Sequence, residues 1–184
     1  MQHNLWMRIL ITGTPGVGKT SAAKLLGKRL GLPVINEREF ALQKGNKKRK
    51  LYEWDEKNKE IVLHEKELQK ELNKELLHKK NCVLEGHVLC ELKLKVNWVV
   101  LLRLHPSVLE FRLEQRGYAA EKLMDNVFCE GIDYCRKHVR RNYAKSKIIE
   151  IDCLGKTIKE VTDEIILALY KKSRARKKRK GVKK

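Results

Sequence analysis

The sequence predicts an α/β fold: a five-stranded parallel sheet with helices on both faces. Two patterns carry that prediction. Short apolar, β-branched runs alternate along the whole chain with longer segments whose apolar residues recur at helical spacing. The run from Trp98 to Leu104 is apolar enough to lie inside a sheet covered on both sides. A third observation fixes the first crossover: a glycine-rich loop stands between the first run and the first helical segment.

Arg8 to Thr12 reads as the buried first strand. After the loop, Ala22, Ala23, Leu25, Leu26 and Leu30 mark a helix that Gly31 ends. Pro33 to Asn36 reads as the second strand, and Lys44 to Lys50 as a basic loop or irregular helix end. Lys57 to Lys80 is rich in Glu, Lys and Leu, with Ile61, Leu68, Leu72, Leu76 and Leu77 on one helical face, so it predicts an amphipathic helix. Cys82 to Glu85 is the third strand, ending in an acid followed by Gly86 and His87; Trp98 to Leu104 is the fourth. Pro106 suits the first turn of a helix running toward Arg116 and stopped by Gly117. Leu123 to Tyr143 reads as helical, Lys147 to Ile151 as the fifth strand and Thr157 to Tyr170 as the closing helix.

The 184 residues fit one domain with a full core. No apolar run approaches the roughly 18 residues that span a bilayer, and Met1 to Arg8 lacks the continuous apolar stretch of a signal peptide. Five cysteines without a CxxC pair suit free thiols in a reducing compartment. The expectation is a soluble intracellular protein. Of the formal charge of +19, the segment from Lys171 to Lys184 holds ten Lys or Arg and no acid. Such a block has no apolar partners, which predicts a disordered tail whose natural partner is a polyanion such as RNA.

Gly13-Thr14-Pro15-Gly16-Val17-Gly18-Lys19-Thr20 matches the phosphate-loop pattern at every fixed position. Glycines let successive backbone N–H groups approach phosphate oxygens, and a helix N-terminus adds its dipole. Lys19 can reach the β- and γ-phosphates, and Thr20 can offer a hydroxyl to Mg²⁺. Glu85 closes the third strand, which neighbours the first in sheets of this kind, so its carboxylate belongs beside the loop as a metal or water-orienting group. His87 points toward the same crevice. Transferring a phosphoryl group also needs cations. Arg112 and Arg116, four apart, share a helix face; Arg103, at the end of the fourth strand, and Arg140 with Arg141 are weaker candidates.

The loop, then Glu85-Gly86-His87, then Leu113-Glu114-Gln115-Arg116-Gly117-Tyr118 and Lys122-Leu123-x-Asp125-Asn126 together resemble the adenylate kinase isoenzyme 6 family from about Arg8 to Tyr170. The resemblance implies a three-layer P-loop NTPase of the nucleoside monophosphate kinase fold over residues 1–170, with 171–184 outside it. It implies a broad nucleoside monophosphate kinase with ATPase activity, using ATP and Mg²⁺, AMP being the first acceptor expected. It further implies a part in late maturation of the small ribosomal subunit and rRNA 3′-end processing, through a platform ribosomal protein and, by the basic tail, rRNA. Such a protein works in the cytoplasm if archaeal in type and in the nucleus if eukaryotic.

Carried over by position, Gly16, Gly18, Lys19, Thr20 and Ser21 contact ATP, as do Arg116 and, by looser alignment, Lys156. Thr20 and Glu85 hold the metal, and Lys19, Arg116, Glu85 and His87 form the catalytic set. Residues 36–59 are the monophosphate-binding segment and 115–125 the lid. The sequence departs from the family in two places. Glu85 stands where Asp is frequent, and the monophosphate segment is unusually basic, with Lys44, Lys47, Lys48, Arg49 and Lys50.

An assembly ATPase that chaperones a ribosomal protein, with kinase activity incidental, is the alternative. A small-metabolite kinase of shikimate type is less favoured: it needs a set of carboxylate-binding arginines and an Asp after the second strand, where this chain has Glu37 and Glu39.

Overall fold

The computed structural model describes residues 7–46, 50–57 and 59–181, with side chains as far as Arg176. Its main sheet has five parallel strands in the order β2-β5-β1-β6-β7: β1 (Met7–Thr12), β2 (Val34–Asn36), β5 (Asn81–Glu85), β6 (Trp98–Arg103) and β7 (Ile148–Asp152). A two-stranded antiparallel hairpin, β3 (Tyr52–Asp55) and β4 (Glu60–Leu63), stands apart from it. The helices are α1 (Lys19–Leu30), α2 (Glu37–Lys44), α3 (Glu65–His78), α4 (Pro106–Glu114), α5 (Ala120–Gly131), α6 (Tyr134–Asn142) and α7 (Ile158–Gly181).

Strand alternation builds the three layers. Ile9, Ile11, Val83, Val100 and Leu102 face a layer made by α1, α4, α5 and α7, where Ala22, Leu26, Leu109, Leu113, Val161 and Ile165 are buried. Leu10, Leu84, Val99 and Leu101 face the opposite layer, where Leu68, Leu72 and Leu76 of α3 and Val139 of α6 meet them. Burying each such Leu or Ile is worth about 1.5–3 kcal/mol, and the sheet has such residues on both faces. That is why its central strands β1, β5 and β6 read as nearly unbroken apolar runs. All five cysteines are free.

Three sequence expectations are corrected. The helix expected over 57–80 begins only at Glu65. Residues 60–63 are instead β4, in which Ile61 pairs with Trp54 and Leu63 with Tyr52 across the hairpin. Leu77, counted on the buried face, is 59% exposed. The helix expected over 123–143 is two, because Gly131 ends α5 and Asp133 adopts a left-handed conformation at φ 60°.

The basic segment expected to be disordered from Lys171 continues α7 as far as Gly181. Packing of Val161, Ile165 and Leu169 nucleates this helix. Lys and Arg then propagate it cheaply, because no glycine or proline interrupts 158–180 and basic residues suit a helix C-terminus. Residues 1–6, part of the stretch read as unlike a signal peptide, lie outside the described residues, as do Lys47, Lys48, Arg49 and 182–184. No helix among the described residues is long and apolar enough to cross a membrane.

Candidate nucleotide site

The phosphate loop spans the gap between β1 and α1, and its glycines are there for steric reasons. Gly13, Gly16 and Gly18 all have positive φ, at 143°, 96° and 103°. A Cβ at Gly13 would collide with the backbone carbonyl of Leu102, and one at Gly16 would lie 2.6 Å from Leu109. Gly18 is the N-cap of α1 and brings no capping side chain, so the helix's first amides face the loop's interior, ready for an anion.

Lys19 is buried and its Nζ donates to Thr14 O at 3.0 Å. Burial lowers its pKa, opposed by the nearby carboxylates of Glu37 and Glu85.

Parallel pairing sets Ile11 opposite Glu85 and Asn36 opposite Glu85, so three strand ends converge here. Glu85 is only 2% exposed. Its two carboxylate oxygens each lie 3.2 Å from Thr20 Oγ1, which donates to them, and Asn36 Nδ2 donates to Oε1 at 2.5 Å. Asn36 also caps α2 by accepting from Glu39 N at 2.9 Å. A hydroxyl and one buried carboxylate meeting in this way fit Mg²⁺, which takes one or two protein ligands and leaves the rest to phosphate and water.

His87 is exposed, and its ring Nδ1 sits 2.9 Å from Glu37 Oε1. Glu37, 3% exposed, also accepts the backbone N–H groups of His87 at 2.8 Å and Leu89 at 3.1 Å. It therefore fixes the loop after β5, and with Nδ1 donating to it, Nε2 is the ring nitrogen left for another partner. The sequence offered a signal for Glu37, an acid directly after the second strand, but not its partners.

On the other side of the loop a cleft of about 510 Å³ opens between Val17, Gly18 and Ser21, Arg112 and Arg116 of α4 and its following turn, and Lys156 with Thr157 before α7. The structure thus brings Arg112, Arg116, Ser21 and Lys156 to one cleft beside Gly18. No carboxylate among the described residues forms an ion pair with Arg112 or Arg116, whereas Lys156 is held by Glu164 at 2.7 Å.

The weaker arginine candidates are elsewhere. Arg103 is bound to Glu130 at 2.6 Å and to Asp133 at 2.5 Å. Arg140 pairs with Glu150 of β7 at 2.9 Å, and Arg141 lies against His138 at 3.3 Å. Each of these guanidinium groups is engaged locally, and Arg103 reaches the phosphate loop through Glu130, which also accepts from Thr14 Oγ1.

A family model for the AAA domain matches residues 9–133. A Methanocaldococcus jannaschii protein described as "Putative adenylate kinase" is 38% identical over 177 residues, 96% of this chain and 91% of that protein. A Pyrococcus abyssi protein with the same description is 41% identical over 160 residues, 87% and 82% of the two chains. The chain belongs to this adenylate kinase family. Among solved structures, a gluconokinase from Sinorhizobium meliloti 1021 superposes with a TM-score of 0.61 at 18% identity, covering 91% of this chain and 93% of its own. Shikimate kinase from Aquifex aeolicus does so at 0.58 and 22%, covering 91% and 98%. These two likenesses carry the fold alone: the P-loop kinase sheet and its flanking helices are shared well beyond the adenylate kinase family.

Proposed function

We propose that this chain is a broad-specificity nucleoside monophosphate kinase of the adenylate kinase isoenzyme 6 type, with ATPase activity and AMP as its first acceptor. A phosphate oxygen of the monophosphate attacks the γ-phosphorus of ATP, the bond to the β,γ-bridging oxygen breaks, and ADP and a nucleoside diphosphate leave. The observation that carries this reading is the convergence of the phosphate loop with the Thr20–Glu85 pair on one side and, on the other, Arg112 and Arg116, which form no ion pair among the described residues. Phosphoryl transfer asks a protein for little covalent work; positioning and charge do the catalysis.

In this reading Gly16, Gly18, Thr20 and Ser21 cradle the phosphates. Lys19 gives up Thr14 O for the β- and γ-oxygens, and Arg116, assisted by Arg112, covers the transferring group. Lys156 borders the nucleoside. Thr20 and Glu85 would hold Mg²⁺, which supplies charge neutralisation to the phosphates. His87 presents Nε2 to the acceptor side. Residues 36–59, with α2 and the hairpin, receive the monophosphate, and 115–125 serve as a lid. A shikimate-type acceptor is disfavoured because Glu37, the acid after β2, is occupied by backbone amides and His87.

The second reading, an assembly ATPase acting with a small-subunit platform protein and rRNA, draws support from the basic C-terminal end of α7. Both are tested by ADP formation from ATP in Mg²⁺, with and without AMP, CMP and other monophosphates. Strong stimulation with the matching diphosphate as product is expected. Slow turnover indifferent to every monophosphate would overturn the kinase reading in favour of the ATPase.

A further inference from the structure

Glu130 has no part in the roles above, yet it is only 2% exposed. It lies in the last turn of α5 and touches two other pieces of chain, the phosphate loop and the end of β6. Its Oε2 accepts from Thr14 Oγ1 at 2.5 Å; its Oε1 accepts from Arg103 Nε at 2.6 Å and from Leu104 N at 3.2 Å. A carboxylate this deep is tolerated only when its bonds are made, and breaking one leaves the others poorly compensated.

Thr14 is thereby held at both ends. Its hydroxyl is fixed by Glu130, and its carbonyl accepts from Lys19 Nζ at 3.0 Å. The resting place of Lys19 depends on the orientation of this residue. The anchor, moreover, belongs to the helix that follows the Arg116–Gly117 turn. One end of α5 reaches the β3–β4 hairpin through the Lys122–Glu60 ion pair. Just beyond its other end the chain turns at Asp133, itself bound to Arg103 and Arg136.

We propose that Glu130 is a positioning residue for nucleotide binding: it sets the phosphate loop through the Thr14 hydroxyl and makes the loop's geometry depend on the seating of α5. The inference takes residues 115–125 as a lid from the kinase reading, but its test reads ATP affinity and so does not need an acceptor.

The experiment is calorimetric titration of Mg·ATP into the full chain and its Thr14→Val, Thr14→Ser, Glu130→Gln and Thr14→Val/Glu130→Gln variants, with thermal unfolding as the control for folding. Thr14→Val and Glu130→Gln are each expected to weaken binding by about tenfold, the size of one charge-assisted hydrogen bond. The double variant is expected to be no weaker than the worse single one, because both changes weaken the same Thr14–Glu130 contact. Thr14→Ser, which keeps the hydroxyl, should recover most of the affinity lost in Thr14→Val. Unchanged affinity in Thr14→Val would overturn the proposal, and so would losses that multiply in the double variant. If Glu130→Gln does not fold, the Val and Ser variants at Thr14 decide it. A native chain that binds ATP yet phosphorylates no monophosphate would sink the kinase reading and leave this one standing.

Discussion

Thr20 and Glu85 stand 65 residues apart in the chain and 3.2 Å apart in space. The strand order does this: β5 pairs directly with β1, so the acid closing one strand lies beside the loop leaving the other. Glu85→Gln keeps the shape and removes the charge. It should lower kcat by about 10²-fold at low Mg²⁺, within the range seen when one electrostatic group is removed, and part of the loss should return as Mg²⁺ is raised. Rates measured across a Mg²⁺ series decide this; a loss independent of Mg²⁺ would mean that Glu85 orients an attacking group rather than the metal.

Lys19 carries its charge at a cost. Burial holds its pKa below the ordinary 10.5, so the folded chain releases that proton at a lower pH than the unfolded one. Between the two values the unfolded state binds more protons, and stability rises with pH; below that window the whole cost is present. Lys19→Met removes the charge and should cut turnover by at least ~10²-fold. Its stability advantage over the native chain should shrink as the pH climbs from neutral toward about 10. Urea unfolding of both proteins across that range gives the answer. A constant difference would show that folding leaves this ammonium unperturbed.

Gly13 has φ 143° and no room for a Cβ against the Leu102 carbonyl. Gly13→Ala should destabilise the fold by about 1–3 kcal/mol, the range for a residue forced into strained backbone. Each kcal/mol should lower Tm by roughly 2–4 °C in a chain of this length. Differential scanning calorimetry measures the shift, and an unchanged Tm would show that the loop relaxes without strain.

Removing residues 171–184 takes away ten cationic side chains, together with the contacts of Lys172 Nζ with Ser146 O at 3.2 Å and of Arg174 with the Tyr170 ring. Phosphotransfer should persist near the native rate. Affinity for a structured RNA should fall, and the slope of log K against log salt should flatten, because fewer phosphates are neutralised. Filter binding at several salt concentrations checks this, and an unchanged slope would place RNA contact elsewhere or nowhere.

Much of the fold was legible because it rests on strong local signals. The phosphate loop is one such signal, and so are the apolar central strands β1, β5 and β6, which are buried on both faces. The hairpin was not, although Tyr52, Trp54, Ile61 and Leu63 alternate in the strand manner, because the Glu- and Lys-rich sequence after Lys57 fits a helix equally well. At the site, Glu85 could be placed from strand order alone. Glu37 and Glu130 could not, since a buried acid is recognisable only by what it touches, and their partners lie 50 and 116 residues away for His87 and Thr14. Arg103 shows the same thing in reverse: nothing near it in sequence shows that Glu130 and Asp133 will pair with it.

The first residue of α7 lies against the phosphate loop, with Ile158 the neighbour that a side chain at Gly18 would meet. From there 24 residues run to Gly181 as one helix, a rod of about 36 Å. No glycine or proline before its end supplies a joint. The far end of the helix is therefore joined without a break to a residue that touches the phosphate loop, so the basic end and the loop share one continuous axis.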